Sequence, residues 1–183
     1  MKPAGTPPSS YAEWSDCLER LEQGLDDEQV IALMAAGSLG WSAGVATLFS
    51  TRISEVFSVR LQRCADRLTR DLQHGMDETL LVRALLNARQ TLSLLLRVAS
   101  LPGFPERLRT HLRQELDRYA GQAQDSLERS AVHDRSGRLV SLIRHNSLRR
   151  FDAAPLILTS PVCPPVAAVA PGGSRKRLFL TPI

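Results

Sequence analysis

Proline is missing from residues 9 to 101, an interval of 93 residues. An interior proline removes a helix hydrogen bond and costs about 3 kcal/mol, so such an interval has room for long uninterrupted helices. Aromatic residues make up only 5% of the chain, whereas apolar residues reach 43%. A core of that composition must draw mainly on leucine, valine and alanine. It argues against a sheet protein, because strands favour aromatic and β-branched side chains. Lysine is nearly absent: Lys2 and Lys176 stand alone against 21 arginines, a bias that reads first as one of coding composition.

Chemistry is scarce as well. The three cysteines, Cys17, Cys64 and Cys163, are odd in number and far apart, and no disulfide framework or zinc spacing can be read from them. Cys17 and Cys64 fall on apolar helical faces and are expected as buried free thiols. A reducing compartment follows, with the cytoplasm expected and the nucleus as the second location. Residues 1–29 carry Lys2 but no apolar run, so no secretory signal is expected. His74, His111, His133 and His145 have no His or Cys neighbour at ligand spacing. No HExxH, P-loop, GxGxxG, GxSxG or CxxC occurs, nor the Glu-x-x-His pairs of a di-iron bundle. The expectation is a non-enzymatic chain without catalytic residues, cofactor or metal.

What is present is helical periodicity. Ser10 and Glu13 match a capping box, in which each side chain satisfies the other's backbone amide. Tyr11, Trp14, Leu18, Leu21 and Leu25 continue as one stripe, and Gly24 with Asp26 and Asp27 marks a break. A second helix is expected from about Asp27 to Ala36. A third covers roughly 42–73, with the stripe Ile53, Phe57, Leu61, Cys64, Leu68 and Leu72 and a stop at Gly75. Asp77 is placed to cap a fourth, where Leu81, Leu85, Ala88, Leu92, Leu95 and Ala99 recur at heptad spacing. The segment 101–105 reads as a turn, with Pro105 at the first helical position. A fifth helix then carries Leu108, Leu112, Leu116, Tyr119, Ala123 and Leu127. Short connections imply neighbouring helices that run antiparallel.

Residues 30–51 hold no charge and are long enough to span a bilayer, with a GxxxG at Gly40 and Gly44 and arginines after them. Three glycines and several hydroxyl residues dilute the stretch. A helix–turn–helix buried in a bundle explains it better than a membrane span.

Charge is divided along the chain. Residues 1–134 hold 15 basic side chains against 18 acidic ones, while residues 135–183 hold eight against Asp152 alone. The segment 135–151 joins Leu139, Leu142, Ile143 and Phe151 to Arg138, Arg144, Arg149 and Arg150, the pattern of a short basic amphipathic helix. It could dock on a partner, or pack as a last bundle helix with its arginines outward. Six prolines crowd residues 155–183, so the tail from residue 152 is expected to be disordered. It ends with Arg175, Lys176 and Arg177 beside Leu178 and Phe179, which resembles a short cyclin-docking pattern. Ser160-Pro161 and Thr181-Pro182 resemble proline-directed kinase sites, and Arg144 with Ser147 a basophilic one.

The sequence therefore predicts an all-α protein: an antiparallel helical bundle of about five helices with a disordered Pro-rich basic C-terminal tail. Its parts are a flexible lead-in over 1–9, a bundle over 10–134, the basic segment 135–151 and the tail 152–183. The expected function is that of a helical adaptor or regulatory protein binding other proteins. Partner-binding residues are Arg138, Arg144, Arg149, Arg150, Arg175, Lys176, Arg177, Leu178 and Phe179. The alternatives are a nucleic-acid-associated regulator acting through 135–150 and a membrane-associated protein acting through 30–51.

Overall fold

The computed structural model describes residues 6–73, 78–131 and 137–152. All regular structure among them is helical: α1 Tyr11–Gln23, α2 Asp27–Ala36, α3 Ala43–Gln73, α4 Glu78–Ala99, α5 Glu106–Ala131 and α6 Arg138–His145, followed by a 3-10 turn at Leu148–Arg150.

Local chemistry explains the boundaries. The capping box forms as expected, with Glu13 Oε2 accepting from the Ser9 and Ser10 amides and Ser10 Oγ accepting from the Glu13 amide. These donors hold the Glu13 carboxyl below its ordinary range. Helix α1 stops at Gly24, whose φ of 75° is left-handed. There the Gly24 and Leu25 amides turn back to the carbonyls of Leu21 and Arg20. Ser42 caps α3, its hydroxyl accepting from the Val45 amide. Pro105 lies one position earlier than expected, just outside α5, and its carbonyl accepts from the Arg109 amide.

Helix α3 packs against α1, α4 and α5, and α4 packs against α5. Ile53, Phe57, Leu85, Leu92, Leu95, Leu112 and Leu116 are all fully buried between them. Each such side chain contributes about 1.5–3 kcal/mol of burial. Tyr11 and Leu25, at the two ends of the α1 stripe, are exposed. In α5 the buried line passes through Ala120 and Gln124 instead of Tyr119 and Ala123, because it advances in steps of four from Leu108 to Gln124.

The few aromatic residues are concentrated. Trp14, Trp41, Phe49 and Phe104 form one cluster with ring centroids 5.3–6.3 Å apart. Both indoles are anchored, Trp14 Nε1 donating to the Ser38 carbonyl at 3.2 Å and Trp41 Nε1 to that of Gly103 at 2.9 Å. These bonds hold the α2–α3 connection to α1 and to the α4–α5 turn.

The uncharged stretch 30–51 is split between α2, this connection and the start of α3. Among the described residues no helix is long and apolar enough to cross a membrane. Gly40 and Gly44 face open space, so their GxxxG makes no close contact. The tight approach is at Gly37, where a Cβ would lie 2.8 Å from the Pro8 carbonyl oxygen. Pro8 itself is buried, and its carbonyl accepts from the Ser38 amide at 2.9 Å. The lead-in is thus tied to the bundle at residue 8. Leu72, Gly75, Asp77 and the tail from residue 153 lie outside what is described, in backbone or in side chain.

Candidate interaction surfaces

The segment from Gly137 to Asp152 is built on one apolar side. Gly137, left-handed at φ 69°, opens α6, and Arg144 and His145 sit at its negative end. Ile143, Leu148 and Phe151 are buried, and the segment packs on α4 and α5. Two buried polar side chains fix its backbone. Gln124 Oε1 of α5 accepts from the Leu148 amide at 2.9 Å, and Arg89 Nη2 of α4 donates to the Arg150 carbonyl at 3.0 Å. Buried Asn146 closes the end of α6, its amide and its side chain both donating to the Leu142 carbonyl.

The arginines of this segment point outward, in two ways. Arg138, 77% exposed, lies 3.9 Å from Glu78, and Arg149 pairs with Asp125. Arg144 and Arg150 are exposed, and neither guanidinium forms an ion pair among the described residues. Arg175, Lys176, Arg177, Leu178 and Phe179 lie outside the described residues.

A second surface is a cleft of about 420 Å³ where the α1–α2 turn meets α3 and α4. Arg60, Arg63 and Arg67 follow one another on α3 and all line it. Arg60 donates to the Leu21 carbonyl at 2.9 Å and makes a two-pronged pair with Asp27, at 2.8 and 3.2 Å. Arg63 donates to the Glu22 carbonyl. Both thus reach carbonyls at the negative end of α1. Arg67 has no ion pair among the described residues. Across the cleft stand Asn87, Gln90 and Thr91 of α4.

Cys64 is buried beneath the arginines, and burial pushes its thiol up despite the nearby Tyr119, Arg67 and Arg60. Burial also carries the Tyr119 phenol far above its ordinary range. Its hydroxyl faces the Cys64 sulfur without closing a well-formed hydrogen bond. Cys17 is buried too, and its thiol is likewise pushed up by burial. A thiol held protonated is a poor nucleophile. Among the described residues no three or more of His, Cys, Asp and Glu are grouped to hold a metal ion.

The arginine cleft is a feature the sequence reading missed. Positions 60, 63 and 67 share a helix face by spacing, but their meeting with the end of α1 depends on the turn at Gly24. No protein-family model matches the chain, and neither does any curated protein or solved structure.

Proposed function

We propose that the chain is a non-enzymatic adaptor or regulatory protein: an antiparallel helical bundle that presents a basic C-terminal docking segment to a protein partner. The observation that carries this reading is the division of labour from Gly137 to Asp152. Its apolar side chains are seated on α4 and α5, while Arg144 and Arg150 stay on the surface, immediately before the tail that bears 175–179. Arg138 and Arg149 face Glu78 and Asp125 of the same chain. That leaves less charge for a nucleic-acid backbone, whose binding rises with the number of phosphates neutralised. A protein partner in a reducing compartment, cytoplasm or nucleus, fits better.

The test is recovery of partners by the tagged full chain from its native host, before and after nuclease treatment. One variant carries Arg144→Glu and Arg150→Glu, the other Leu178→Ala and Phe179→Ala. The expected result is a protein partner that survives nuclease and is lost from at least one variant. Retention of every partner by both variants overturns the docking segment, and loss on nuclease treatment transfers these arginines to nucleic acid.

A further inference from the structure

The cleft between α3 and α4 holds more positive charge than its own partners use. Three guanidinium groups, on Arg60, Arg63 and Arg67, meet one lining carboxylate, Asp27, and Arg60 takes both of its oxygens. Arg63 reaches only the neutral Glu22 carbonyl, and Arg67 reaches no anion among the described residues. The lining side chains therefore carry two positive charges in excess.

Opposite them, the side-chain amides of Asn87 and Gln90 form no hydrogen bond among the described residues. Neutral donors beside paired guanidinium forks suit an anion with several oxygens rather than a single carboxylate. The cleft lies within the size range of small-molecule sites, and its lining also includes Leu68 of α3 and Ala88 and Leu94 of α4. We propose that this cleft binds a small anion bearing phosphate groups, held by Arg63 and Arg67 of α3 and by Asn87 and Gln90 of α4. The site is independent of the C-terminal docking segment and stands or falls without it.

Inorganic diphosphate is the probe, titrated into the full chain by calorimetry at fixed ionic strength. Saturable one-to-one binding is expected, with a Kd of about 10 μM to 1 mM. Arg67→Gln with Asn87→Ala should weaken it at least about tenfold, a change of ~1.4 kcal/mol. Arg113→Gln removes the same charge from an exposed position of α5 outside the cleft and should leave the Kd within about twofold. Gln90→Ala is a second probe of the cleft, at an exposed position where folding is not at stake, and should weaken binding at least about threefold. Phosphatidylcholine vesicles carrying a phosphoinositide separate the two sources of such a group: competition with diphosphate places it on a lipid headgroup, and none places it on a free solute. Absence of saturable binding overturns the proposal. So does an equal loss in Arg113→Gln, which would mark diffuse attraction, or equal affinity for citrate, which would remove the preference for phosphate.

Discussion

Gln124 does two jobs with one side chain. Its oxygen accepts from the Leu148 amide, and its nitrogen donates to Glu128 Oε1 at 2.8 Å, all at 2% exposure. Gln124→Leu preserves the bulk and leaves a buried amide hydrogen unpaired, so a loss of about 1–3 kcal/mol is expected in urea denaturation. The buried thiols give a second prediction at this scale. Burial raises Cys64, and Cys17 with it, so the folded chain holds protons that the unfolded chain releases near the ordinary thiol value, about 8.5. Their contribution is complete below that value and is lost as pH rises toward the folded value. Melting temperature should therefore fall from pH 8 to pH 10, and Cys64→Ala should flatten the slope. An unchanged slope in that variant would mean the thiol is not the group responsible.

At the scale of elements, the turn from α1 to α2 decides the most. Gly24 is left-handed, and a Cβ there would lie 2.7 Å from Arg60 Nη1. Gly24→Ala strains the backbone and displaces the arginine that ties α1 to α3 and to Asp27. A loss of more than about 1 kcal/mol is expected, and chemical denaturation measures it. This turn also shows what the sequence makes legible. The limits of α2 and the stop of α1 can be read because glycine and aspartate act locally. Long-range meetings cannot be read in the same way. Trp14 and Phe104 are 90 positions apart, and only the packed helices bring their rings to 5.9 Å. In α5 the departure at Tyr119 reflects a stripe drawn at alternating spacing where the packing repeats in fours. The arginine cleft stayed hidden because part of what draws Arg60 and Arg63 together is a pair of backbone carbonyls, which carry no sequence signal.

For the molecule as a whole, α3, α4 and α5 share one continuous core with α1 and the C-terminal segment. Leu92 and Leu116 are wholly buried within it. Leu92→Asp or Leu116→Asp places an unpaired carboxylate there, at a cost of several kcal/mol against a total stability of about 5–15 kcal/mol. Both variants should lose cooperative melting at 37 °C in circular dichroism, and parental melting in either would mean the core is elsewhere. The seating of the last turn has a consequence for how this chain tolerates change. Its main chain is gripped by Gln124 and Arg89, so part of the address is written on α5 and α4, beside the part carried by the buried Leu148 and Phe151 of the segment itself. Saturation mutagenesis should then find positions 149 and 150 permissive for folding and positions 89 and 124 restrictive. The exposed arginines are left open to selection for whatever they touch outside.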